Sequence, residues 1–234
     1  MIILNLTILC ALIIGIDIVL RKLFYRYKNR ESIIQWLVYF FLLGFLLVSV
    51  LWLEREFFGI VVPIPISFNW TGFLQAVLII LSITLILLAV IFVELYVRKK
   101  KNTPLPEMEF SKPEDEMFKG NLKYVGAFII SACAGIVEEL VFRYYVLGRI
   151  EYVTDSTFLA IWVSSLFFGF IHILDGGWKS VISTGLFGIF FGVVYVITGN
   201  LLIVIVIHAL WNFISFTFPF GKMINFINKV VNYI

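Results

Sequence analysis

Long apolar runs alternate with short polar stretches along the whole chain. Seven of these runs approach the roughly 20 apolar residues that a helix needs to cross a bilayer. Helices are favoured because open sheets would leave backbone groups unpaired in lipid, and the alternating pattern of an outer-membrane barrel is absent. We therefore predict an all-α fold, a polytopic transmembrane helix bundle of about seven spans. The predicted spans cover about 2–20, 33–53, 71–97, 122–148, 157–174, 178–198 and 200–218.

Two polar regions divide this series of spans. The stretch 98–120 contains three prolines among mixed charges, which is typical of a solvated linker. Near the end of the chain, lysines and asparagines recur every three to four residues between apolar positions, which predicts an interfacial amphipathic helix. The predicted organisation is three leading transmembrane helices (1–97), a polar cytoplasmic linker (98–120), a four-helix region (121–218) and an amphipathic tail (219–234).

Composition and charge support a membrane location. The 234 residues are 62% hydrophobic and 14% charged, and the mean hydropathy of +1.04 is far above that of a water-soluble globule. The dense basic clusters, "RKLFYRYKNR" and "RKKKNT", lie in the first and third loops. Because basic loops face the cytoplasm, we expect the N-terminus outside and the C-terminus cytoplasmic. The expected partner is the lipid bilayer, and no nucleic acid is expected.

Ionisable and amide side chains inside the spans are concentrated in the four-helix region. An ionisable group there costs about 2.5–3.5 kcal/mol to insert, so each is a candidate for function. Glu139 and Arg143 are four residues apart on one helical face and are expected to neutralise each other, whereas Glu138 points about 100° away as an unpaired acid. The candidate set is Glu138, Glu139, Arg143, His172, His208 and Asn212.

The depths of these groups place them in one band of the membrane. Counting about 1.5 Å per residue from the outer ends of the spans puts Glu138 and Asn212 roughly 18 Å deep, His208 roughly 12 Å and His172 roughly 24 Å. A carboxylate and an imidazole can share a water molecule and remove its proton. A histidine and an asparagine can stabilise the oxyanion that forms during amide cleavage. The set therefore suits a peptide hydrolase without a serine or cysteine nucleophile.

Three short motifs resemble a known family. "EELVFR", "FGFIH" and "HALWN" follow one another on successive trailing spans and resemble the EExxxR, FxxxH and HxxxN motifs of the CAAX prenyl endopeptidase-like, or Abi (CPBP), intramembrane proteases. The resemblance covers roughly 121–218 and implies that this region is catalytic. It further implies that Glu138 is the general base with help from His172, that His208 and Asn212 form the oxyanion hole, and that Glu139 and Arg143 hold the site in shape.

The resemblance leaves the metal question open. A zinc ion bound by Glu138, His172 and His208 is an alternative, because two histidines and a carboxylate suit this metal. The HExxH spacing of helical zinc proteases is absent, so we expect no cofactor and keep zinc as the alternative.

We expect an intramembrane endopeptidase that cleaves a membrane-associated peptide or protein, either prenylated or of a bacteriocin or pheromone kind. The chain is short and carries no targeting or retention signal at its end, which favours a multi-pass protein of a bacterial plasma membrane. A non-catalytic immunity or scaffold protein on the same fold and a proton-coupled transporter are the alternatives. Retention of every polar group argues against the first, and the lack of an inverted repeat argues against the second.

Overall fold

A computed structural model of the protein describes residues 2–28, 33–61, 64–66, 70–101 and 123–217. No strand occurs within these ranges, so the predicted all-α fold is confirmed. The predicted tail (219–234) and most of the predicted linker lie outside them. The described helices are α1 (Ile2–Lys28), α2 (Ile33–Phe58), α3 (Trp70–Lys101), α4 (Lys123–Thr154), α5 (Thr157–Phe170), α6 (Ile173–Thr198) and α7 (Leu201–Thr217).

The helices follow the predicted apolar runs, and the chain is a multi-pass membrane protein. Within the described ranges, α2, α4 and α6 are long and apolar enough to cross a membrane. The segment Thr7–Leu20 of α1, together with α5 and α7, forms shorter apolar helices, and the full number of crossings stays a prediction. Helix α3 ends at Lys101, four residues beyond the expected end of the third span at 97, because arginine and lysine are good helix formers.

Small residues bring the four trailing helices close together in pairs. A Cβ atom on Gly135 of α4 would lie 2.8 Å from the carbonyl oxygen of Ile205 in α7. A Cβ atom on Gly169 of α5 would lie 2.6 Å from the carbonyl oxygen of Val181 in α6. Such approaches are typical of membrane helices, whose packing depends on close contact rather than on the hydrophobic effect. The backbones of α4 and α7, and those of α5 and α6, therefore pack with no room for a larger side chain at these two glycines.

Helix α4 changes its hydrogen-bonding pattern in its C-terminal half. Residues Leu140–Leu147 form a π-helix, in which each backbone N–H bonds to the carbonyl five residues earlier. Every residue of this segment except Leu140 is buried, and Ser164 of α5 donates a hydrogen bond of 2.8 Å to the carbonyl of Phe142. π-Helical turns are rare and occur frequently at functional sites.

The connection from α5 to α6 differs from the prediction. The expected fifth span reaches residue 174, but α5 ends at Phe170 and His172 lies in the turn that precedes α6. Helix α6 is itself kinked at Gly176 and Gly177, and the φ of 63° at Gly177 belongs to the left-handed region that glycine adopts readily. The double glycine interrupts α6, and His172 lies between the end of α5 and the start of α6.

The contacts between the leading helices and this trailing group include those of α2 and of a short extended segment. The carbonyl of Pro65 accepts a hydrogen bond of 3.0 Å from the backbone N–H of Leu201, at the start of α7. From α2, the carboxylate of Glu54 is fully buried against α4. It accepts hydrogen bonds from Arg149 Nε (2.9 Å), Arg149 Nη2 (2.5 Å) and the hydroxyl of Tyr145 (2.7 Å).

Candidate active site

Four ionisable side chains meet between α4 and α7. Glu138, Glu139 and Arg143 come from α4, and His208 comes from α7, where the contact at Gly135 brings the two backbones together. Their exposed fractions are 5%, 0%, 1% and 4% respectively. Charges buried to this extent persist in proteins only when they are paired or functional. The cluster therefore needs an explanation in terms of its internal contacts.

The imidazole of His208 lies between the two glutamates. Its Nδ1 is 2.6 Å from Glu139 Oε1, which is a short hydrogen bond, and its Nε2 is 3.7 Å from Glu138 Oε2. The ring of Phe191 stacks on His208 with centroids 4.7 Å apart, and Phe168 meets it edge-on at 6.0 Å. Glu139 and these two aromatic rings fix the orientation of the imidazole, so its second nitrogen faces Glu138.

Glu139 also contacts Arg143, as the spacing predicts. Arg143 Nε lies 3.1 Å from Glu139 Oε2, although the N–H is not aligned for a hydrogen bond. Arg143 Nη2 donates to the carbonyl of Gly188 in α6 at 3.2 Å, and the guanidinium carbon lies 4.6 Å from the centre of the Phe168 ring. Within the described part of the chain, Arg143 Nη1 has no hydrogen-bond partner. Glu139 and Arg143 thus join α4, α6 and α7.

His172 approaches the cluster from the turn after α5. Its Nδ1 lies 2.8 Å from the carbonyl oxygen of Phe168, so Nδ1 carries the proton and Nε2 is left as an acceptor. The side chain is half-buried, and no hydrogen bond joins it to Glu138. Of the two imidazoles expected near Glu138, His208 makes the defined contact, because α5 ends before it reaches His172.

Asn212 lies one turn beyond His208 on the same face of α7. Its side chain is half-buried and has no hydrogen-bond partner among the described residues. The neighbouring Trp211 packs on Phe187 of α6 with ring centroids 4.8 Å apart. Asn212 and His172 are therefore the more accessible members of a set whose other four members are buried.

The residues of the zinc alternative do not assemble as ligands. In the ranges that the structure describes, no three histidine, cysteine, aspartate or glutamate side chains are grouped so that they hold a metal ion. Glu138, His172 and His208 are included in those ranges. A structural zinc site needs four ligands and a catalytic one needs three, and the described side chains do not provide such a set.

The sequence did not predict that two further ionisable residues are buried and paired with each other. Glu54 and Arg149 lie at the ends of the predicted second and fourth spans, where a charge is ordinarily solvated. The pairing between them joins residues 95 positions apart, so no local spacing signals it. The one feature of the sequence that points to their burial is that each residue directly follows an apolar run.

The trailing helices match a known family. Residues 120–214 match the family described as Type II CAAX prenyl endopeptidase Rce1-like. This match includes all six candidate residues and α4 to α7 almost completely, and it leaves α1 to α3 outside. No curated protein and no solved structure matches the chain significantly. The resemblance drawn from the three motifs is confirmed for this region.

Proposed function

From the Rce1-like domain at residues 120–214, we propose that the protein is an intramembrane endopeptidase in which Glu138 activates the attacking water. The family is a protease family, and the chain is a multi-pass membrane protein. The single observation that carries the assignment is the buried carboxylate of Glu138 facing His208 Nε2 at 3.7 Å. In this position Glu138 is suited to hold a water molecule within hydrogen-bond distance, and this water is the proposed reactant.

The reaction begins with proton transfer from water to Glu138. The water oxygen attacks the carbonyl carbon of the substrate, and the carbonyl oxygen becomes negative in the tetrahedral intermediate. Glu138 then delivers the proton to the amide nitrogen as the carbon–nitrogen bond breaks, which releases an amine and a carboxylic acid. His172 assists by accepting a hydrogen bond from the water through Nε2, since its Nδ1 is engaged with the carbonyl of Phe168.

His208 and Asn212 supply the donors for the negative oxygen. His208 is held by Glu139 at Nδ1 and is proposed to stabilise the negative oxygen through Nε2. Asn212 has an unengaged amide one turn away, which adds a second donor on the same face. Fixed donors of this kind stabilise charge that develops in the transition state. Glu139 and Arg143 hold the imidazole in place and do not react.

The proposed substrate is a membrane-associated peptide or protein. The proposed enzyme lies in a bacterial plasma membrane, with its own N-terminus outside and its own C-terminus in the cytoplasm. In that orientation His172 and the kink in α6 face the cytoplasmic side, since α5 runs inwards. Matched peptides with and without a prenyl group distinguish the two substrate kinds. Reporter fusions at the two termini test the orientation.

The test of the catalytic assignment uses purified protein in lipid nanodiscs with a set of membrane-associated peptides. Cleavage is followed by mass spectrometry for the wild type, Glu138→Gln and Glu138→Ala. Both variants should lose cleavage, whereas Glu56→Gln, the same change at an exposed position of α2, should retain it. Equal cleavage by the two Glu138 variants and the wild type would reject Glu138 as the base. Activity that survives prolonged treatment with a chelator is expected, and its loss with recovery on adding zinc would favour the metal alternative.

A further inference from the structure

Helix α2 contributes a buried ion pair that lies outside the region matching the family. Glu54 accepts three hydrogen bonds, two from Arg149 and one from Tyr145, and each of its carboxylate oxygens is used. Exposed fractions are 0% for Glu54, 4% for Arg149 and 0% for Tyr145. The Arg149 guanidinium also lies over the Tyr145 ring, 5.3 Å from its centre. Both oxygens of Glu54, two nitrogens of Arg149 and the hydroxyl of Tyr145 are thus engaged within this group.

Stability alone is a weak reason for such a pair. Two charges lose their hydration when they are buried, and well-packed apolar residues of similar volume often stabilise a protein as well or better. An ion pair that fixes two helices in one relative register has a use that apolar side chains lack, since its geometry is directional. The partners of Glu54 on α4 are Tyr145 and Arg149, and their positions show which part of α4 the ion pair holds.

The π-helical segment connects this ion pair to the site. Tyr145 and Arg143 both belong to Leu140–Leu147, two residues apart. Arg143 in turn contacts Glu139, and Glu139 orients His208 through the hydrogen bond of 2.6 Å. A π-helix is less favourable than an α-helix and persists where tertiary contacts hold it. Its two sides are held here by Glu54 through Tyr145 and Arg149, and by His208 through Glu139.

We propose that Glu54 is a positioning residue of the peptidase, which holds the π-helical segment of α4 through Tyr145 and Arg149 and thereby sets the orientation of Glu139 and His208. The proposal rests on the proposed function for its catalytic consequence. It assigns a task to the leading helices, which carry none of the three motifs. When Glu54 is absent, the segment can relax towards an α-helix, which turns Arg143 and Glu139 relative to α7.

The competing explanation is that Glu54 only helps the protein to fold. Two variants separate the explanations. Glu54→Leu combined with Arg149→Met removes both charges together and should fold, because it leaves no unpaired charge in the interior. Glu54→Gln retains an acceptor for Tyr145 and loses only the charge. Glu56→Gln is the matched control, since Glu56 is exposed on the same helix.

Two measurements are made on each folded variant. The first is the separation of kcat from KM on a peptide that the wild type cleaves. The second needs no activity: the chain has only two histidines, so selective labelling gives one set of nuclear magnetic resonance signals for each imidazole. A His172→Gln sample assigns the two sets. Helix content and thermal midpoint are recorded to establish that the variant is folded.

The double variant should lose roughly 10- to 100-fold in kcat with KM unchanged, which is the size of effect that small misplacement of catalytic groups produces. The His208 signals should move in both variants and stay in place in Glu56→Gln. Folded variants with wild-type kcat and unchanged His208 signals would overturn the proposal. If the wild type cleaves no peptide, the proposed function fails, and the His208 signals still decide whether Glu54 positions the imidazole.

Discussion

Helix α4 carries two buried charged clusters that differ in how completely they are satisfied. The first cluster joins Arg149 and Tyr145 to Glu54, and none of its buried side-chain atoms lacks a hydrogen-bond partner within the described ranges. In the second cluster, Glu138 accepts no hydrogen bond from the described residues. Arg143 and Glu139 of that cluster retain polar atoms without a hydrogen-bond partner among the same residues.

This difference suits a structural task for the first cluster and a chemical task for the second. A buried polar group without a partner is costly, and native proteins keep few of them. The satisfied cluster has used its bonding capacity to hold two helices together. The unsatisfied cluster keeps hydrogen-bonding capacity for water and substrate. Its neighbours His172 and Asn212 are half-buried and therefore more accessible to a reactant. Single variants that break the Glu54–Arg149 pair should therefore lower stability most, whereas variants of Glu138 should lower turnover without lowering stability.

The largest expected effect is on turnover at Glu138. Glu138→Gln should lower kcat by about 10²- to 10⁴-fold, the usual contribution of a general base. The free energy of unfolding should stay the same or rise, because the change removes a buried charge that has no hydrogen bond. Cleavage rates and denaturant titrations in the same detergent measure both quantities. A large loss of stability in Glu138→Gln would assign this residue to support and remove the contrast between the clusters.

The next effect is on stability at the satisfied cluster. Arg149→Met should lower the free energy of unfolding by about 3–5 kcal/mol, because Glu54 is left buried without its cation. Adding Glu54→Leu should recover most of this loss, since the apolar pair leaves no charge behind. Denaturant titrations of the wild type, the two single variants and the double variant form the cycle. Additive losses would mean that the two side chains are not coupled, contrary to their 2.5 Å contact.

A smaller effect on turnover is expected at the proposed oxyanion donor. Asn212→Ala should lower kcat by about 10²- to 10³-fold, as does the loss of one such donor in other hydrolases. Stability should change little, because the amide is half-buried and bonded to none of the described residues. Single-turnover rates on a cleaved peptide are the measurement. Asn212→Asp tests the sign of the interaction, since a carboxylate repels the oxyanion and should be slower still.

The sequence predicted the helices and one contact among the candidate residues, and the membership of the site stays a prediction. Apolar runs located the seven helices of the described ranges to within a few residues at most ends, because the membrane requires long apolar segments. The four-residue spacing of Glu139 and Arg143 predicted their contact, which is local. The chemical roles of the six residues stay predictions.

The features that the sequence did not predict depend on contacts between distant residues or on local interruptions of a helix. The pairing of Glu54 with Arg149 joins distant positions, and nothing in the spacing marks it. The π-helix at Leu140–Leu147 has no composition of its own, and tertiary contacts select it. The fifth apolar run was expected to be helical to residue 174, but α5 ends at Phe170 and α6 is kinked at Gly176 and Gly177, and no change in the apolar pattern marks the end of α5.

The smallest effect concerns the contact that brings the two sides of the site together. Gly135→Ala should destabilise the protein by about 1–3 kcal/mol, because the added Cβ overpacks the contact with Ile205 and Ala209 in α7. It should also lower kcat, since α7 carries His208 and must move away from Glu138. Gly44→Ala is the control: outside the backbone of its own helix, no atom of the described residues lies within 4 Å of its Cβ position, and alanine favours a helix. Equal kcat and equal stability for Gly135→Ala and Gly44→Ala would contradict the close approach of α4 and α7, and with it the 3.7 Å contact between His208 and Glu138.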